Sequence, residues 1–207
     1  MFGRKYPSPK SSTFTADQRQ EFLISSIYRA KMVSMKSRRG LLLVNTGNGK
    51  GKSTAAFGIA LRAIGQGLRV SIIQFIKGKW KTGELQSAQR IGLEMIPMGK
   101  GFTWESANLE EDKSLMREAW TLASQKILSG QYDLIILDEL NYVLGYGYLP
   151  VEDVIRCFQD RPAHVHVVVT GRNAPEEVIS IADCVTEMRE IKHPYRNGIP
   201  AQKGIDY

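Results

Sequence analysis

A chain of 207 residues, 43% hydrophobic and 24% charged, is long enough to bury one substantial core, too short for two large ones, and balanced like a soluble globular protein. No apolar run approaches the ~20 residues of a membrane span, and the N-terminal stretch MFGRKYPSPKSST has no apolar segment to act as a signal peptide. Cys157 and Cys184 lie far apart without C-x-x-C spacing, which speaks against zinc, gives little weight to disulfides, and makes a reducing cytoplasm the expected compartment.

The net charge of +7 is concentrated at the start: residues 1–39 hold nine Lys/Arg against Asp17 and Glu21, and residues 40–207 balance. Pro7 to Thr13, rich in Pro, Ser and Lys, reads as disordered. From Thr15, the residues Phe22, Ile24, Ile27, Tyr28 and Met32 fall near helical spacing, with acidic residues early and Lys36, Arg38 and Arg39 late, as the helix dipole favours. The expectation is a basic arm over residues 1–39 carrying one amphipathic helix, followed by a single domain over residues 40–207. Such an arm fits nucleic acid, an anionic membrane, an anionic ligand or partner surface, or a solubilising tail.

The domain reads in order as strand Leu41–Asn45, helix Lys52–Ile64 ended by Gly65 and Gly67, and strand Arg69–Ile76. A loop rich in Lys, Gly and Trp follows, then a short strand Glu94–Pro97 and another loop. After these come helix Asn108–Leu128, strand Leu134–Leu137, helix Val151–Phe158, strand Val165–Thr170, helix Pro175–Ile181 and a last strand Val185–Ile191. Strands that are apolar throughout and separated by helices predict an α/β fold with a mostly parallel sheet covered on both faces. In such sheets ligands lie beyond the carboxyl ends of the strands. Chemistry is therefore expected in Thr46–Ser53, Lys77–Gly83, Asp138–Tyr148 and Gly171–Ala174.

The first of these loops is the most informative. In LLLVNTGNGKGKST, Leu41 to Thr54, an apolar strand empties into a glycine- and lysine-rich loop and a helix starts at once. Gly47, Gly49 and Gly51 let backbone N–H groups turn inward on an anion, Lys52 supplies a point charge for phosphate, and Ser53 offers a hydroxyl to Mg²⁺. The standard G-x-x-x-x-G-K-[ST] pattern wants glycine at position 46, where this chain has Thr46 with Gly47 one step later. Strand Leu134–Leu137 ends in Asp138-Glu139, acidic residues placed to hold Mg²⁺ or polarise water; the sequence leaves open which of the two touches the ion. Arg172, just after another strand end, is placed to reach phosphate. Phe102 and Trp104 alternate after a Gly-x-Gly and either present a flat apolar surface to a planar ligand or pack in the core. His164 and His166 read as ordinary strand-entry residues rather than a metal pair, and His193 carries no assigned role.

Six segments taken together resemble the ATP:corrinoid adenosyltransferases of the cobalamin pathway, a P-loop family of RecA-like fold: Thr46–Thr54, Gln74–Gly78, Gly101–Glu105, Leu137–Tyr142, Thr170–Arg172 and Ala201–Tyr207. The resemblance runs from about Gly40 to Tyr207 and, more loosely, takes in the basic helix. It implies transfer of the 5′-deoxyadenosyl group of ATP to a Co(I) corrinoid with release of triphosphate, in adenosylcobalamin synthesis or salvage. By the same resemblance Gly47, Asn48, Gly49, Lys50, Gly51, Lys52, Ser53 and Thr54 bind the nucleotide, and Lys52 neutralises leaving-group charge. Ser53 and Glu139 hold Mg²⁺, and Arg62 and Arg172 support the nucleotide. Phe102 and Trp104 form an apolar wall that strips the lower axial ligand from Co(II). The basic helix closes over the corrinoid, often from a partner subunit, which implies a homodimer. An electron-donating reductase such as a flavoprotein is implied, and neither nucleic acid nor membrane is an expected partner. Ser53 stands where threonine is commoner, and Asn141, Pro200 and Lys203 also depart from the family pattern.

Two rival readings differ in their products or partners. A phosphohydrolase or kinase is disfavoured by the displaced glycine and the Phe-x-Trp loop. A nucleic-acid-binding ATPase using the basic arm is disfavoured because residues 40–207 offer no net positive charge to continue it.

Overall fold

The computed structural model describes residues 39–78, 82–99 and 109–206. The expected helix in the basic arm, the aromatic pair Phe102 and Trp104, and Tyr207 lie outside these residues. Six strands form one sheet: β1 (Leu42–Thr46), β2 (Val70–Gln74), β3 (Glu94–Pro97), β4 (Leu134–Asp138), β5 (His166–Thr170) and β6 (Cys184–Glu187), in the order β3-β2-β4-β5-β1-β6. Every pairing is parallel, so the sheet is purely rather than mostly parallel among the described residues. The strand that feeds the glycine-rich loop, β1, and the strand that ends in Asp138, β4, are separated by β5, the arrangement of RecA-like phosphate-loop folds.

Helices cover both faces, and the period-2 alternation of side chains along each strand explains how. On one face Val70, Ile72, Leu134, Ile136 and Val168 pack with Ala56, Ala60 and Ala63 of α1 (Lys52–Gly65). Those alanines recur at i, i+4 and i+7, and their small side chains let the helix lie close to the sheet. On the other face Leu42, Val44, Ile73, Ile135, Leu137, Val167 and Val169 meet α3 (Leu109–Leu128) and α5 (Val151–Asp160) through Met116, Ala119, Ala123, Ile127, Val154 and Phe158. Val178 of the short α6 (Glu176–Ile181) joins the same cluster.

The structure departs from the sequence expectation at three elements. Helix α2 (Gly83–Arg90) falls in a segment expected to be loop; it buries only Ala88 and so has almost no apolar stripe, and its start is signalled by Thr82, whose hydroxyl accepts a 3.3 Å hydrogen bond from the Leu85 N–H. Helix α4 (Leu140–Gly145) also replaces expected loop and starts directly after Glu139, which adopts the left-handed region at φ 66°. The last strand was expected to reach Ile191 but ends at Glu187. There the chain leaves the sheet: the Met188 N–H still donates to the Thr46 carbonyl at 2.8 Å, and the Met188 carbonyl then accepts from the Gly49 N–H at 2.6 Å.

Candidate active site

The bend after β6 makes residues 188 and 189 the outer wall of the glycine-rich loop. Gly47 sits at φ 91°, and a Cβ there would lie 2.5 Å from the Met188 carbonyl oxygen, well inside contact distance. Glycine is therefore fixed at position 47 both by the left-handed backbone and by the neighbouring chain. This wall gives a physical reason for the displaced glycine of the motif: the tight turn begins at 47 because Thr46 is still a strand residue. Its carbonyl, which accepts from the Met188 N–H, and its side-chain oxygen, which accepts from the Ala174 N–H at 3.2 Å, tie β1 to both flanking segments.

Lys52 opens α1, yet its side chain turns back into the loop. The ammonium donates to the carbonyls of Gly47 at 2.8 Å and Gly49 at 2.7 Å. Burial lowers its pKa from the ordinary lysine value, Arg172 and Lys50 push the same way, and the attraction of Glu139 opposes them. The charge is thus held inside the loop by neutral carbonyls. Asn45 braces the turn from below, its amide donating to the Lys52 carbonyl at 3.2 Å. Lys50 points elsewhere and pairs with Asp206 near the C-terminus, whose carboxylate also accepts from the Gln202 N–H at 2.7 Å.

The acidic end of β4 is built differently. Asp138 is fully buried, and both its oxygens are taken: Oδ1 accepts from the Thr170 hydroxyl at 2.8 Å and Oδ2 from the Gln74 side-chain amide at 3.0 Å. Glu139, next along, has a buried Oε2 with no hydrogen-bond partner. Burial first, then the neighbouring Asp138, pushes its carboxyl up to about 7, against the pull of Lys52, Lys77 and Arg172. A buried acid with an orphaned oxygen beside a second carboxylate is a site that a cation would complete. Of the two acids left open by the sequence, the geometry leaves Glu139 with coordinating capacity.

Several expected site residues come together here. Arg172 lies in the loop after β5 and interacts electrostatically with both Lys52 and Glu139. Ser53 and Thr54 follow Lys52 in the first turn of α1. Arg62 is in the last turn of that helix, about 15 Å from Lys52 along an axis rising 1.5 Å per residue. His164 and His166 make local contacts, to the Gly130 carbonyl at 3.2 Å and from the Leu41 N–H at 3.1 Å, in keeping with their strand-entry reading.

The sequence reading assigned no role to Gln74, Thr170 or Lys77, which the fold places at the site. The Lys77 ammonium lies 4.0 Å from Asp138 and 3.8 Å from Glu84, and 5.7 Å from the Phe57 ring centre. The available signal was a polar residue closing a run of apolar ones at each strand end: Gln74 after Ile72 and Ile73, and Thr170 after Val167, Val168 and Val169.

Comparison with known proteins identifies the family. A family profile described as ATP:corrinoid adenosyltransferase BtuR/CobO/CobP matches residues 38–207. A corrinoid adenosyltransferase of Escherichia coli K12 is 43% identical over 178 residues, covering 86% of this chain and 91% of that protein. The relative named corrinoid adenosyltransferase CobA from Salmonella typhimurium LT2 is also 43% identical over 178 residues. One from Pseudomonas aeruginosa PAO1 is 45% identical over 179 residues, covering 86% of this chain and 88% of that protein. The chain belongs to the ATP:corrinoid adenosyltransferase family.

Proposed function

We propose that this protein transfers the 5′-deoxyadenosyl group of ATP to the Co(I) of a corrinoid and releases inorganic triphosphate. The electron pair on Co(I) attacks C5′, the C5′–O bond breaks, and its electrons leave with the triphosphate oxygen. No general base is needed, because the nucleophile carries no proton. The chain's task is to hold the leaving polyanion and stabilise the charge that develops on it.

The observation that carries this reading is the folded-back Lys52. Its ammonium already lies inside the loop, where triphosphate oxygens replace the Gly47 and Gly49 carbonyls as its partners. Gly47 to Thr54 form the nucleotide cradle, and Arg172 adds a second cation from the loop after β5. A Mg²⁺ ion, which would neutralise phosphate charge and fix the leaving group's orientation, fits the Ser53 hydroxyl and Glu139. The orphaned Glu139 Oε2 supports that ligand set. Asp138 is left out because its two oxygens are already engaged.

Phe102 and Trp104 are proposed to displace the lower axial ligand of Co(II), which makes reduction by a weak electron donor such as a flavoprotein accessible. The basic residues 1–39 are proposed as a cover for the corrinoid within a homodimer in the cytoplasm. Among the described residues no helix is long and apolar enough to cross a membrane.

The test is an anaerobic reaction of the protein with ATP, Mg²⁺ and chemically reduced cobalamin. A light-sensitive cobalt–carbon product is expected; its absence with both cobalamin and an earlier corrinoid would refute the assignment.

A further inference from the structure

Three polar side chains from three different strands line up at the carboxyl edge of the sheet. The register puts Gln74 opposite Asp138 and Asn45 opposite Thr170, with Leu137 beside Val169 bringing Asp138 next to Thr170. Gln74 and Thr170 are buried, at 2% and 0% exposure, and Asp138 is at 0%. Their bonds converge on Asp138 from both sides. Gln74 donates to Asp138 at 3.0 Å, Asp138 accepts from the Thr170 hydroxyl at 2.8 Å, and that same hydroxyl oxygen accepts from the Glu139 N–H at 2.9 Å.

The last link falls on a strained residue. Glu139 sits at φ 66° with a side chain, a conformation that non-glycine residues rarely adopt and that persists only where the surroundings enforce it. Thr170 provides that enforcement, since its hydroxyl proton is committed to Asp138 and its lone pair is thereby aimed at the Glu139 N–H. A second clamp closes the other side: the Asn141 amide donates to the Gly171 carbonyl at 3.0 Å, and a Cβ on Gly171 would lie 2.9 Å from the Asn141 Cβ and 3.2 Å from Glu139 Oε2. Burying such polar groups is costly unless each is satisfied, so the arrangement serves to fix geometry rather than to add stability.

We infer that Thr170 is a positioning residue that acts through the Gln74–Asp138–Thr170 chain to aim the Glu139 carboxylate at the metal of the bound nucleotide. This rests on the metal role proposed for Glu139. It gives Asp138 a function other than coordination and links β2, β4 and β5 in a single device. Replacing Thr170 by valine keeps the shape but removes both bonds; serine keeps the hydroxyl and loses only a methyl group.

The test measures Mn²⁺ affinity by electron paramagnetic resonance on full-length protein saturated with ATP, with no corrinoid present, so that no turnover occurs. Thr170→Val is expected to weaken Mn²⁺ by roughly tenfold, a shift typical of second-sphere changes at metal sites. Thr170→Ser should stay within about twofold, and ATP affinity in the presence of a chelator should be unchanged in both. Should Thr170→Val fail to fold, Gln74→Met, which removes the other partner of Asp138, takes its place with a smaller weakening expected. Wild-type Mn²⁺ affinity in the folded Thr170→Val or Gln74→Met protein, alongside weakened affinity in Glu139→Gln, would overturn the positioning role and leave the metal role standing. Unchanged affinity in Glu139→Gln itself would overturn the metal role and the inference with it.

Discussion

The two halves of the site hold charge by opposite means. At the end of β1 the cationic half is made from the backbone: one glycine at φ 91°, two carbonyls on Lys52 and a neighbouring chain segment that leaves no room for a Cβ. At the ends of β4 and β5 the anionic half is made from side chains that meet only after folding, Gln74, Asp138, Thr170 and Glu139. The backbone half depends on local chemistry and holds its lysine with neutral carbonyls. The side-chain half is a set of buried hydrogen bonds beside an acid, Glu139, whose Oε2 has no partner.

The sharpest break of the comparison is at Lys52. Lys52→Ala is expected to leave the fold intact, since its side chain bonds only loop carbonyls, while lowering transfer by about 1,000-fold, the scale of losing a preorganised electrostatic contact to a leaving group. Circular dichroism and the transfer assay check the two parts, and near-wild-type turnover in a folded variant would dissolve the cationic half.

Gly47→Ala attacks the same half through the backbone. The Cβ would sit 2.5 Å from the Met188 carbonyl oxygen at a φ that L residues avoid, so the loop must open away from the wall. ATP affinity by calorimetry should fall by about 100-fold, which corresponds to roughly 3 kcal/mol. Unchanged affinity would mean that the wall after β6 does not shape the loop.

Glu139→Gln tests the anionic half at two levels. The Mg²⁺ concentration for half-maximal activity should rise at least about tenfold. In the ligand-free protein the substitution should also flatten a pH dependence of stability. Glu139 in the folded state is pushed up to about 7 from an ordinary value of 4.5, so the folded state keeps a proton that the unfolded chain has lost. Stability then declines as pH rises from about 4.5 to about 7, by an amount of order 3 kcal/mol. Denaturant melts at pH 4.5 and pH 8 should show that decline in the wild type and its loss in Glu139→Gln; parallel behaviour of the two proteins would remove the buried charge from the account.

The smallest effect is expected at the tie between the loop and the C-terminal segment. Lys50 is about half exposed where it meets Asp206, and exposed ion pairs contribute little. Asp206→Asn should leave turnover within about twofold. A large loss would show that residues 202–206 belong to the loop's working structure.

Legibility in the sequence follows the same division. The cationic half was readable because a strand, three glycines, a lysine and a helix start lie within one continuous stretch, and apolar runs such as LIIL and VVV marked the parallel strands. The anionic half was readable only as Asp138-Glu139. Which acid keeps a free oxygen depends on Gln74 and Thr170, dozens of residues away along the chain and adjacent only through the strand order. Helix α2 escaped because it buries almost nothing, so hydrophobic periodicity has no stripe to report.

The central claim is that the bound triphosphate leaves whole. Phosphorus NMR of the complete anaerobic reaction, with ATP, Mg²⁺ and chemically reduced cobalamin, tests it most directly. The account predicts inorganic triphosphate in step with the cobalt–carbon product. ADP with phosphate, or AMP with pyrophosphate, would contradict it.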